Sequence, residues 1–224
     1  LGRAVEPGRR KATLKTTRAA EAVEEEDPAL AGKLRALQER QLDRAGGVEG
    51  NWLVRADKSG SMEGAIETAA HVAAVLARLA AGRVLLVLFD TLPRAIEATG
   101  LTLEDLKREL VHVQAGGGTS IGCGVQYALE WEFPADGIAL VSDGAENTAP
   151  GFAGVYGVLT QQLGKRVPVY WYLVVGDVAA MARKAGATHA AQVRVAEDAV
   201  QREREQFRHA CAAADIDLQM FDLA

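Results

Sequence analysis

Three separated stretches of the chain carry oxygen donors of similar character. The first is Asp57-Lys58-Ser59-Gly60-Ser61-Met62, the second is Thr119 after the glycine run Gly116-Gly117-Gly118, and the third is Asp143 in Val141-Ser142-Asp143-Gly144. Two carboxylates brought within a few ångströms of each other without a counter-charge push one of the two pKa values up strongly, and a divalent cation relieves the conflict. Oxygen-only donors select a hard ion. A set rich in neutral hydroxyls suits Mg²⁺ or Mn²⁺ better than Ca²⁺, which takes more charged ligands. Gly60 lets the first loop turn tightly between its serines, and the glycine run gives the backbone the freedom to aim Thr119 inward.

These donors need a scaffold that brings them together, and the surrounding sequence supplies one. Short β-rich runs alternate with helical stretches from about Gly50 onward. Strands are expected at Trp52–Ala56, Val84–Phe89, Arg94–Glu97, Ile138–Val141 and Val169–Val175, with a short one near Gln192–Val195. Helices are expected over Gly64–Leu79, from Thr102 to about Leu110, from the glycine run to about Glu132, over Phe152–Leu163 and Val178–Ala185, and from Glu197 to Ala213. Such alternation predicts an α/β fold whose mostly parallel sheet carries helices on both faces. The continuous apolar run Val84–Phe89 has the texture of a strand buried on both sides. In an open sheet of this kind ligands bind at the carboxyl ends of the strands, and all three donor stretches lie in strand-to-helix loops, which share that edge.

The pattern Asp57-x-Ser59-x-Ser61, with Thr119 in a glycine-rich loop and Asp143 in a Ser-Asp-Gly turn, resembles the metal-ion-dependent adhesion site (MIDAS) of von Willebrand factor type A (vWA) domains. The resemblance spans about Asn51 to Asp177, including the order of elements. It implies a Rossmann-like open sheet of six strands, one of them an antiparallel edge strand at Arg94–Glu97. It further implies a Mg²⁺ or Mn²⁺ ion held directly by Ser59 and Ser61, with Asp57, Thr119 and Asp143 binding directly or through water. A protein partner then donates a Glu or Asp carboxylate to the ion, so the chain is expected to be a non-enzymatic, metal-dependent interaction module. Lys58 departs from the pattern; its ammonium would weaken metal binding if it turned toward the site. Asp90, at the end of the run Val84–Phe89, is expected to form the turn before the hairpin, the alternative being that it lines the rim of the same face.

Other readings compete. A vWA domain can be a scaffold piece of a chaperone-like ATPase complex or of a Ro-type ribonucleoprotein, which the stretch Gly116–Gly151 resembles loosely. Gly118-Thr119-Ser120-Ile121-Gly122 fits G-x-S-x-G, and Asp143 or Asp177 followed by His189 or His209 would complete the order of an α/β serine hydrolase built on Ser120. The glycine-rich approach to Ser120 is unlike a nucleophile elbow, and no oxyanion segment lies upstream. His71 and His112 stand singly in apolar stretches, without the clustered partners that metal ligation requires.

Composition sets the outer bounds. The chain has 224 residues, 49% of them apolar and 25% charged, which fits a globular domain. With 30 acidic and 25 basic residues it carries a net charge of −5, a poor balance for a protein that coats nucleic acid. The longest apolar runs are six and seven residues, far short of the roughly 20 that cross a bilayer as a helix. Residues 1–20 hold six bases and one acid, and residues 21–28 hold five acids and no base. Residues 1–28 therefore read as a charged, flexible arm, helical in part, whose basic part could touch RNA. Residues 29–49 read as a short amphipathic helix and linker, and residues 50–224 as the domain. Opening on Leu1, the chain is expected to be a piece of a longer protein. Cys123 and Cys211, without metal-type spacing, fit a reduced, cytoplasmic setting.

Overall fold

The computed structural model describes residues 7–223. Two helices come first, α1 (Pro7–Ala22) and α2 (Pro28–Ala45), followed by β1 (Asn51–Asp57), α3 (Glu63–Leu79), β2 (Val84–Phe89), β3 (Pro93–Glu97) and α4 (Leu103–Leu110). The second half contains α5 (Ile121–Glu130), β4 (Ala135–Ser142), α6 (Phe152–Leu163), β5 (Val169–Leu173), α7 (Val178–Lys184), α8 (Ala190–Ala213) and β6 (Leu218–Asp222). The strands form one six-stranded sheet in the order β3-β2-β1-β4-β5-β6. Every neighbouring pair is parallel except β2 and β3, where Thr91-Leu92 turns the chain back into an antiparallel edge strand.

Alternate residues of the central strands feed two cores. On one face Leu53, Phe89, Ile138, Leu140 and Trp171 pack with Val125, Phe152, Phe207 and Cys211 from α5, α6 and α8. On the other, Val54, Leu86, Leu88, Ala139 and Val141 pack with the alanine-rich face of α3 and with Leu106 and Leu110 of α4. Small side chains such as Ala65, Ala69 and Ala73 let α3 lie close to the sheet. Thr102 starts α4 with a capping box, its hydroxyl accepting from the Asp105 amide while Asp105 reaches back to the Thr102 amide.

Two expectations are corrected. Gln192–Val195 is the first turn of α8, not a strand: His189 caps that helix, and Gln192 Oε1 accepts the His189 N–H at 3.0 Å. The alternation of Val193 and Val195 spans too few residues to distinguish the two periods. The sixth strand is instead Leu218–Asp222, paired in parallel with β5. The leading segment, expected to be a partly helical solvated arm, is instead docked on the domain. From Pro7 it is helical, and α1 pairs with α2 and lies against the domain through Arg18, which donates to Thr68 Oγ1 at 3.2 Å, and Glu21, which pairs with Lys107 at 2.5 Å. Residues 1–6 of that expected arm, and Ala224 at the end of the expected domain, lie outside the described residues.

Candidate metal centre

The chain runs from β1 to β2 on one side of the sheet and later returns to place β4 on the other, so β1 and β4 flank the point where the strand order reverses. Crevices at the carboxyl ends of such strands bind ligands because adjacent loops diverge there. β1 ends at Asp57 and β4 at Ser142, beside each other in the sheet. The Ser142 hydroxyl donates to Asp57 Oδ2 at 2.7 Å and accepts the Gly144 N–H at 2.9 Å. Asp57 Oδ1 accepts the Ser59 N–H at 2.9 Å, which curls the loop after β1 back over the carboxylate. Asp143, next along, accepts the Ala145 N–H at 3.0 Å and faces the Ser61 hydroxyl at 3.4 Å.

Four of the five expected donors are thus linked directly through the pairs Asp57–Ser59 and Ser61–Asp143 and through the mutual field of the two carboxylates. Thr119 reaches the group through the backbone. The Gly116 N–H donates to the Lys58 carbonyl at 2.8 Å, and Asn147 accepts the Thr119 N–H at 2.9 Å, so the glycine-rich loop is pinned between the other two. Asp57, Ser59, Thr119 and Asp143 are all buried, and Ser61 is half-buried.

Burial dominates the electrostatics. It lifts the Asp57 carboxyl from its ordinary 3.8 to about 6, against the hydrogen bonds from Ser59 and Ser142, with the Asp143 charge adding to the rise. The Asp143 carboxyl is also raised by burial, partly offset by the Ala145 amide and the Arg204 charge. Among the described residues no Lys or Arg is ion-paired with either carboxylate. Nor do three Asp, Glu, His or Cys side chains gather at metal-binding distance among the described residues; beyond two carboxylates, the remaining donors here are hydroxyls. Two buried carboxylates sharing a field, ringed by neutral oxygens, are a donor set that fits a hard divalent ion.

Several residues that fix this geometry carry no signal in their type or spacing. Arg204 of α8 donates from Nε to the Asp143 carbonyl at 2.5 Å, and Trp171 of β5 donates to the Ser142 carbonyl at 2.9 Å. The Asp177 N–H donates to the Ser61 carbonyl at 3.0 Å. Glu146 accepts from the amides of Gly122 and Phe152, joining the first turns of α5 and α6. Beneath the site Arg55 is wholly buried, its guanidinium 4.5 Å from the centre of the Phe89 ring and donating to the Ile121 carbonyl.

The hydrolase constellation does not assemble. Ser120 caps α5, accepting the Cys123 N–H at 3.2 Å and donating to the Pro150 carbonyl at 2.9 Å. Asp177 caps α7, accepting the Ala180 N–H at 2.8 Å, His189 stands at the N-cap of α8, and among the described residues no hydrogen bond joins Ser120 to either.

Residues 48–153 match the family model described as VWA domain containing CoxE-like protein. No curated protein matches the chain in sequence. Among solved structures the chain is similar to the Ro (RSR) protein of Deinococcus radiodurans, at 16% identity and a TM-score of 0.56, over 77% of this chain and 41% of that one. A further match is the conserved hypothetical protein BatB of Bacteroides thetaiotaomicron, at 22% identity and a TM-score of 0.43, over 56% of this chain and 67% of that one. The chain spans well under half the length of the Ro protein. Sheet order, the single antiparallel edge and the match over residues 48–153 together show an α/β fold of the vWA-like kind.

Proposed function

We propose that this domain is a protein-interaction module that binds a divalent cation, Mg²⁺ or Mn²⁺, through Asp57, Ser59, Ser61, Thr119 and Asp143. The observation that carries this reading is the buried carboxylate pair at the switch point of the sheet, surrounded by hydroxyls and without an ion-paired Lys or Arg among the described residues. The ion, when bound, would supply an open coordination position for a Glu or Asp carboxylate from a partner protein. The chain's own residues orient the donors: Ser142 holds Asp57, the Ala145 amide holds Asp143, and Asn147 holds the Thr119 loop. The engagement of Ser120 as a helix cap supports a role without hydrolytic chemistry.

The module is read as one part of a larger assembly. α1 and α2 pack on the side of α3 and α4, away from the sheet face that holds α5, α6 and α8. Calorimetric titration with Mn²⁺ should show one site in the unaltered protein and none in Asp57→Ala, and absence of binding in the unaltered protein would refute the metal reading. Partners captured by the immobilised domain should be lost on adding chelator if a carboxylate bridges through the ion.

A further inference from the structure

Lys58 stands in the sequence between two of the proposed ligands, Asp57 and Ser59, and its backbone is fixed on both sides. Its N–H donates to the Phe89 carbonyl and its carbonyl accepts from Gly116, each at 2.8 Å. The side chain does not turn toward the carboxylate pair. Its ammonium forms an ion pair with Asp90 Oδ2, and the two side chains are only 15% and 16% exposed.

Asp90 is itself anchored. Oδ1 accepts the Leu92 N–H at 2.8 Å, and its carbonyl accepts the Ser120 N–H at 2.8 Å, next to Thr119. Gly117, in the left-handed region at φ +76°, carries the glycine-rich loop past this pair; a Cβ there would lie 3.6 Å from the Asp90 side chain. A lysine ammonium is a compact charge on a flexible four-carbon stem, so its position is set by whichever anion holds it. Two anionic destinations flank it: Asp90, and Asp57, next to it in the chain and sharing its field with Asp143.

Resting on the metal reading above, we propose that Asp90 is a latch that holds Lys58 away from the metal centre, and that an unlatched Lys58 becomes an internal counter-cation competing with the divalent ion. The ion pair thereby keeps the carboxylates available, and a partner or modification that engaged Asp90 would lower metal affinity without touching a ligand.

The test is Mn²⁺ titration by calorimetry of the unaltered protein, Asp90→Asn, Lys58→Met and the double variant, with circular dichroism to verify folding. Asparagine keeps the acceptor for the Leu92 N–H, so the turn is retained. Asp90→Asn should bind at least about fivefold more weakly, the effect of one unit charge about 4 Å from the ion even at the dielectric of water. Lys58→Met should bind as tightly as the unaltered protein or more tightly, and the double variant should return to within about twofold of it. The deficit of Asp90→Asn should persist in 1 M salt, where the Debye length is about 3 Å and a charge acting from a distance is screened. Unaltered affinity in Asp90→Asn, a deficit that vanishes in high salt, or no rescue in the double variant each overturns the latch while leaving the metal centre standing. No Mn²⁺ binding by the unaltered protein overturns both.

Discussion

Replacing Asp57 by Asn should make the metal-free protein more stable while removing its capacity to bind metal. The folded-state carboxyl holds its proton up to about pH 6, whereas an unfolded aspartate releases it near 3.8. Below the lower value both states are protonated and the site costs nothing. Between the two values the unfolded state loses its proton first, so folding becomes less favourable as pH rises, and above about 6 the full penalty is present. At about 1.4 kcal/mol for each tenfold change in proton affinity, the interval corresponds to roughly 3 kcal/mol at neutral pH. An Asn amide still accepts from Ser59 but must reorganise the hydroxyl of Ser142, which offsets about 1 kcal/mol. A net gain of about 2 kcal/mol raises the melting temperature by about 4–8 °C in a domain of this size. The assay is thermal melting followed by circular dichroism in chelator at pH 7.5 and pH 4, then with Mg²⁺ added. The variant should melt higher at pH 7.5, nearly coincide with the unaltered protein at pH 4, and show no stabilisation by Mg²⁺, which the unaltered protein should show by mass action. A variant that melts below the unaltered protein in chelator at pH 7.5, or gains as much at pH 4, would refute the reasoning.

Three further outcomes are expected. Gly144→Ala should destabilise by about 3 kcal/mol in denaturant titrations, since the residue sits at φ +78° and a Cβ would lie 2.4 Å from the Trp171 ring. Tyr156→Phe should cost about 1–3 kcal/mol by the same measurement, because the buried hydroxyl donates to the Val167 carbonyl at 2.7 Å and accepts its N–H at 3.2 Å. Cys211, buried and with its thiol pushed up to about 12 by that burial and the Glu146 charge, should resist a disulfide reagent at pH 8 until the protein unfolds; rapid labelling of the native protein would contradict its placement.

The placement of Asp57 and Asp143 at one edge of the sheet was legible because both lie where a buried strand has to end. Asp57 follows Trp52–Ala56, and Asp143 follows Ile138–Ser142, so residue type and position coincide. The edge of the sheet was not legible in the same way. β6 has a neighbour on one side only, and its five residues are half-buried or exposed, so it lacks the apolar run that marked β2. Val193 and Val195 offered a more strand-like alternation, but the capping box of His189 and Gln192 prevails there and starts a helix. The docking of α1 was not legible because its attachment to the domain runs through Arg18 and Glu21, while its charge blocks read as solvated. Asn147, Arg204 and Trp171 act largely on backbone carbonyls and amides, and such contacts leave no trace in the spacing of residue types.

The hydrogen bonds of Trp171 and Arg204 to the carbonyls of Ser142 and Asp143 separate the stretch that supplies the donors from the stretch that steadies them. All five proposed donors precede residue 153, where the family match ends, whereas β5, α7 and α8 follow it. On the proposed metal reading, the downstream third of the domain is a place where recognition would be tuned at constant chemistry. A change in how α8 seats against the sheet would move the Asp143 carbonyl, and the preferred ion or partner with it, while every donor atom stayed the same. Screens for altered binding that vary only the donor loops would miss such variants; libraries over residues 169–213 should contain them.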